Sequence, residues 1–276
     1  MSFPTYETSR SLGQPDILIR FTSGDNVYGY TDAEEAITFA GTTYEPLPLD
    51  RDAVTSSGNL DKSTFRITLP VSAPIAELFR VFPPSEVVSC VMLQGHGSDP
   101  DHQFIAVWSG RVLSCSRAKS RATLSCEPIS TSMRRPGLRR RYQYGCPHVL
   151  YGPYCRADRA AFSVTATVVA VNGTYITMAA GWPGALDQAK FANGIMVAAE
   201  TAQTDIRTIL KVVPGENTII ISAAIGGLTV GSAITLSLGC NRQMGDCLNV
   251  FNNIHNFGGH PWIPKTNPLS NEAQFY

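Results

Sequence analysis

Hydrophobic and polar positions alternate along most of the chain, and helical spacing is rare. The clearest case is Phe65, Ile67 and Leu69 with Thr64, Arg66 and Thr68 between them, the period-two pattern of a half-buried strand. Asp16 to Phe21 and Val27 to Tyr30 flank a polar Ser23-Gly24-Asp25-Asn26 turn and predict a hairpin. Further strands are predicted at Val87 to Leu93, Phe104 to Val112 and Ala122 to Cys126. One helix is predicted over Ala73 to Phe82, where Ile75, Leu78 and Phe79 fall at helical spacing and Pro83-Pro84 supplies a stop.

The second half continues the alternation. Val164 to Val171 and Thr174 to Met178 flank Asn172-Gly173, a dipeptide that supplies the positive φ angles of a tight type I′ turn. Ile206 to Val213 and Thr218 to Ile225 flank Pro214-Gly215-Glu216-Asn217. The stretch Asn217 to Asn241 has no Asp, Glu, Lys or Arg, but Ser222, Gly226-Gly227, Gly231 and Ser232 interrupt it, which suits two strands and a turn rather than a membrane span. These patterns predict a mainly β chain with few short helices and two β domains. The first covers 1–133, and the second, a cysteine-stapled, barrel-like domain, covers 134–250, with a C-terminal extension over 251–276.

Composition changes this picture in three ways. Lys and Arg balance Asp and Glu, so no whole-molecule field recruits nucleic acid or anionic membrane, and direct DNA binding is not expected. Five arginines at 134, 135, 139, 140 and 141 crowd around Pro136-Gly137, read as a solvated linker in preference to a phosphate or acidic-partner site. Over Ala160 to Asn241 only seven of 82 residues are charged, far fewer than a free surface usually carries, so the second domain is expected to be covered by neighbouring subunits of an assembly.

Met1 to Gly13 contains Pro4, Glu7 and Arg10 and no apolar core segment, which argues for synthesis in the cytosol, where thiols stay reduced. Seven cysteines cannot all pair as disulfides. Cys90, Cys115 and Cys126 each follow a serine within a strand-like run and read as small packed residues. Cys146, Cys155, Cys240 and Cys247 instead form two pairs, each bracketing a Gly- or Pro-containing loop, with 84 residues between the inner members. Four soft thiolates select zinc or an iron–sulfur cluster. The loops of eight and six residues are wider than the usual zinc knuckle and suit a bulkier cluster. Such a site would pin the entry of the second domain to its exit.

Catalytic candidates are His96, Asp99, Asp101 and His102 in one loop, read as an exposed hairpin tip, and His255 and His260 near the C-terminus. None accompanies a nucleophile elbow, a Gly-rich phosphate loop or a zinc-protease helix, so no catalytic site is assigned and the chain is read as a non-enzyme.

The run Tyr142-Gln143-Tyr144-Gly145-Cys146-Pro147-His148 to Cys155, then Gly239-Cys240-Asn241-Arg242 to Cys247, then Phe251-Asn252-Asn253 and Asn256-Phe257-Gly258-Gly259-His260-Pro261-Trp262-Ile263-Pro264, resembles the baseplate hub proteins of siphophages and gene transfer agents, related to the tail-tip protein L of phage lambda. The resemblance is specific over Cys146–Cys155 and Gly239–Pro264, and elsewhere extends to layout alone. It implies a homotrimer at the virion tail tip, assembled in the host cytoplasm, joining the distal tail protein to the central fibre or tail-tip protein, with the tape-measure protein a further candidate partner. It also implies a [4Fe–4S] cluster on Cys146, Cys155, Cys240 and Cys247. The alternatives are a zinc-stabilised tail adaptor and a tail-associated cell-wall hydrolase.

Overall fold

The computed structural model describes residues 3–264 except 10, 12, 55–64, 135–136, 138–141, 200–203 and 214. Of the five arginines over 134–141, only the backbone of residue 134 is described, so the arginine run lies outside the described residues. The chain packs as two compact units: Met1–Arg135 with Thr201–Asp205 and Ile225–Gly227, and Pro136–Glu200 with Ile206–Ala224 and Leu228–Tyr276. Both are mainly β, as the alternation predicts.

The first unit opens with a short helix, α1 (Phe3–Thr8), followed by β1 (Pro15–Ser23), β2 (Asn26–Thr31), β3 (Ile37–Phe39), β4 (Thr42–Pro46), β5 (Asp50–Arg51) and β6 (Phe65–Pro70). Helix α2 (Pro74–Leu78) then precedes β7 (Ser89–His96), β8 (Ile105–Ala118) and β9 (Arg121–Pro128). They form one sheet in the order β3-β4-β2-β1-β7-β8-β9-β6-β5. Ser23 pairs with Asn26 around Gly24 at φ +55°, the hairpin that the polar turn predicts. The inward residues of β6, Phe65, Ile67 and Leu69, join Ile19, Phe21 and Leu124 in the core. Cys90 and Cys126 are fully buried in that core and Cys115 packs against it half-buried, all three as packing residues.

The ends of α2, β7 and β8 differ from expectation, β7 running on from Leu93 to His96. Helix α2 ends at Leu78, four residues short of the predicted Phe82. Ile75, Ala76 and Phe79 enter the core, whereas Val81 and Phe82 are about half exposed, so no apolar face remains to hold another turn. Strand β8 runs six residues past Val112, because Ala118 pairs with Arg121 across a two-residue turn in which Lys119 adopts φ +54°.

The second unit contains β10 (Ser163–Asn172), β11 (Tyr175–Met178), β12 (Ile195–Ala198), β13 (Asp205–Val212), β14 (Thr218–Ile221) and β15 (Ala233–Ser237). They close a barrel in the order β10-β11-β14-β13-β12-β15. Asn172 pairs with Tyr175 around Gly173 at φ +61°, and β10 closes the ring against β15 from Ser163↔Ser237 to Thr167↔Ala233. Val168, Ile176, Met196, Ile209, Ile219 and Leu236 fill the interior. The uncharged stretch 217–241 forms β14 and β15, and no helix of the described residues is long and apolar enough to cross a membrane. Beyond β15 a six-residue helix, α3 (Met244–Asn249), leads into the segment 251–264, which folds back within this unit.

Candidate metal centre

Cys240 is placed by the exit of β15. A Cβ on the preceding residue, Gly239, would lie 2.5 Å from Gly194 N and closer still to Ala192 O, so only glycine lets the strand leave the barrel there. Gly239 N donates to Lys190 O at 2.7 Å and fixes the crossing. Arg242, at φ +63°, turns its N–H back onto Cys240 Sγ at 3.3 Å, while its carbonyl accepts from Cys146 N at 2.8 Å. The two cysteine loops are therefore joined by main-chain hydrogen bonding.

Cys247 stands on α3. The neighbouring Asp246 carboxylate closes the 240–247 loop, accepting from Asn241 N at 3.1 Å and Lys190 Nζ at 3.0 Å. That bond and the carboxylate's charge push the Lys190 ammonium pKa up. The first loop is shaped by left-handed Tyr151 and Arg156, at φ +59° and +56°. The Tyr151 hydroxyl donates to Leu238 O at 2.8 Å, tying the 146–155 loop to the end of β15, and burial raises the phenol pKa so that it stays a donor.

The C-terminal segment closes the site from the other side. Asn253 Nδ2 donates to Cys155 O at 2.5 Å and reaches Cys155 Sγ at 3.8 Å; Asn253 N donates to Cys247 O at 2.8 Å, and its carbonyl accepts from the Cys247 thiol at 3.1 Å. Asn256 Nδ2 holds Asn253 Oδ1 at 2.6 Å. Gly258 N donates to Cys146 Sγ at 3.4 Å. A Cβ on Gly258 would enter the His148 ring, and one on Gly259 would lie 2.5 Å from Tyr144 O, so the Gly-Gly pair allows this segment to cross the first cysteine loop. His260 N donates to Gln143 O at 2.9 Å and its ring packs on Tyr142 at 4.2 Å, a structural placement.

All four sequence-selected cysteines line one cavity of about 470 Å³. Burial first, then the other three sulfurs, pushes the Cys247 thiol up to about 11; burial is also the main cause raising Cys240. Cys240 and Cys247 thus resist ionising, a cost that a bound cation offsets. Among the described residues no group of three or more His, Cys, Asp or Glu is arranged to hold a single metal ion. The donor set fits an iron–sulfur cluster in its chemistry: four soft sulfurs, three of them facing an N–H donor.

The other candidates are dispersed. His96 and Asp99 are buried rather than exposed: Phe3 and Tyr6 of α1 pack on the His96 ring, Glu7 Oε2 contacts its Nε2 at 3.0 Å, and the Asp99 carboxylate accepts from Asp101 N and Gln103 N. A short carboxylate that bonds to the backbone two residues on buries itself in building the turn, which explains the difference from the expected tip. Asp101, His102 and His255 are exposed. Sequence reasoning picked out Tyr151 as a residue flanking the site but not its tie to Leu238, and it did not single out Asp246 or Lys190, whose bond spans 56 residues. Asn253 lay inside the motif that carries the resemblance.

The family model described as baseplate hub protein, N-terminal attachment domain, matches residues 17–158, just over half the chain. The chain belongs to the baseplate hub protein family. This hub protein also matches, over residues 189–267, the model described as phage conserved hypothetical protein BR0599. Cys146 and Cys155 fall in the first match, Cys240 and Cys247 in the second. In fold the hub protein is similar to a chain in the solved structure "Virion of native gene transfer agent (GTA) particle", with a TM-score of 0.80 at 19% identity, covering 99% of this chain and 97% of that one. No curated protein sequence matches it. The hub protein is a structural component of a phage-type tail and resides in the virion tail.

Proposed function

We propose that the chain works as a homotrimeric baseplate hub that joins the distal tail protein to the central fibre or tail-tip protein, without catalytic activity, and that a structural [4Fe–4S] cluster on Cys146, Cys155, Cys240 and Cys247 holds its second unit closed. The observation that carries the metal reading is the convergence of four thiols, from segments 84 residues apart, on one cavity. A single zinc ion with Zn–S near 2.3 Å would draw the sulfurs to within about 4 Å of each other. A cavity of about 470 Å³ is larger than a single ion needs and favours the larger cluster.

When bound, the cluster supplies iron–thiolate bonds that cross-link the two loops. Closing an 84-residue loop by one such link removes about 4–5 kcal/mol of unfolded-chain entropy, taking a disulfide as the guide. The chain's own residues do the rest. Arg242, Gly258 and Asn253 aim N–H groups at sulfur, Asp246 shapes the second loop, and Tyr151 ties the first loop to β15. The barrel exterior supports a place within an assembly, since Val169, Tyr175, Ile206 and Leu210 are all about half exposed there. The test is cryo-electron microscopy of tails carrying the chain. Three copies between the distal tail ring and the fibre are expected, and any other stoichiometry or position contradicts the proposal.

A further inference from the structure

The four sulfurs are not held alike. Cys240 Sγ receives the Arg242 N–H at 3.3 Å, Cys146 Sγ the Gly258 N–H at 3.4 Å, and Cys155 Sγ faces Asn253 Nδ2 at 3.8 Å. Cys247 is the reverse case. Its S–H donates to the Asn253 carbonyl at 3.1 Å, and among the described residues no N–H is directed at its sulfur. As a metal-bound thiolate it would turn lone pairs toward that carbonyl, with no donor to share its charge. Hydrogen bonds to a charged acceptor are worth more than neutral ones, and those to ligand sulfurs tune the metal they hold.

We propose that Cys247 is the releasable ligand of the four, the corner of the site that opens first. The inference rests on the reading of these thiols as a metal site. Release needs no main-chain rearrangement. Asn253 N to Cys247 O, and the Asp246 carboxylate to Asn241 N and Lys190 Nζ, all persist while the side chain returns to the Asn253 carbonyl as a thiol. The other three corners would each abandon an N–H donor.

Ferricyanide serves as the one-electron oxidant for this step. With a cluster bound, ferricyanide would take one electron and become ferrocyanide, one iron would leave as Fe²⁺, and Cys146, Cys155 and Cys240 would hold the three irons and four sulfides that remain. Cys247 would give up its iron, and the freed thiolate would take a proton from water.

The test uses full-length chain loaded anaerobically, titrated with ferricyanide and treated natively with methyl methanethiosulfonate. The modified cysteines are then mapped by mass spectrometry, alongside iron analysis of four single serine variants. Cys247 should be modified at least fivefold ahead of the other three, although it is the most buried of them. Cys247→Ser should keep about three of four irons with the electron paramagnetic resonance signal of a three-iron cluster, while Cys146→Ser, Cys155→Ser and Cys240→Ser lose most of theirs. Modification of another cysteine first, equal modification of all four, or an unmodified Cys247 in protein that has lost iron overturns the inference; should Cys247→Ser fail to fold, the wild-type mapping decides alone. Zinc in place of iron would refute the cluster but not the ranking, which limited EDTA stripping followed by the same mapping then tests. A chain that holds neither metal overturns both.

Discussion

Replacing Asn253 with alanine isolates the residue that binds the two cysteine pairs together. The carboxamide donates to Cys155 O at 2.5 Å and accepts from Asn256 Nδ2 at 2.6 Å, and both bonds disappear in the variant. The backbone at φ −126° and ψ 31° suits alanine, and the main-chain bonds to Cys247 survive, so the loss is confined to the side chain. Each bond contributes about 0.5–1.5 kcal/mol net, and a buried partner left unpaired adds to that, giving about 2–3 kcal/mol. At a few degrees per kcal/mol for a unit of this size, the transition of the second unit should fall by about 5–10 °C in calorimetry of the metal-free protein. Asn253→Asp separates stability from metal binding: it keeps the acceptor for Asn256 but loses the donor and sets a negative charge beside the Cys155 sulfur. It should melt closer to wild type than the alanine variant yet load less metal. An alanine variant that melts within about 1 °C of wild type and loads fully would refute the claim that Asn253 organises the site.

Three further predictions rest on single contacts. Tyr151→Phe leaves the buried Leu238 carbonyl unpaired and should cost the second unit about 1–3 kcal/mol, read by denaturant melts, with slower metal uptake because the 146–155 loop loses its tie to β15. Gly259→Ala forces a methyl to 2.5 Å from the Tyr144 carbonyl and should destabilise the segment crossing by about 1–3 kcal/mol, visible as faster hydrogen exchange over 256–260; unchanged exchange would count against the crossing. Because the folded metal-free Cys247 thiol titrates near 11 against an ordinary value of 9.0, the unfolded chain ionises first. Metal-free protein should therefore lose stability as pH rises from 9 to 11, while loaded protein, whose thiolates are already ionised, should instead release metal on acidification.

Alternation and turn chemistry carried most of the fold. Phe65, Ile67 and Leu69 face the core, and Asn172-Gly173 closes a hairpin, because both signals are local. Local signals also set the limits. Lys119 adopts a left-handed turn that its side chain does not advertise, so β8 outruns its predicted end. The length of α2 depends on which side chains the sheet can bury, which no window of sequence states. The four cysteines were legible as a set because thiols in paired loops are rare. The contacts that orient them were not, since Tyr151 reaches Leu238 and Lys190 reaches Asp246 across 87 and 56 residues. His96 and Asp99 look like loop polar residues in sequence and are buried by a helix and a turn that sequence alone does not place over them.

Iron and acid-labile sulfide analysis of anaerobically purified full-length chain, with its absorption spectrum, tests the four-thiol site most directly. The account predicts about four irons and four sulfides per chain with a broad band near ~400 nm, all lost together when Cys240 is replaced by serine. Zinc without sulfide, or iron retained in full by Cys240→Ser, would contradict it.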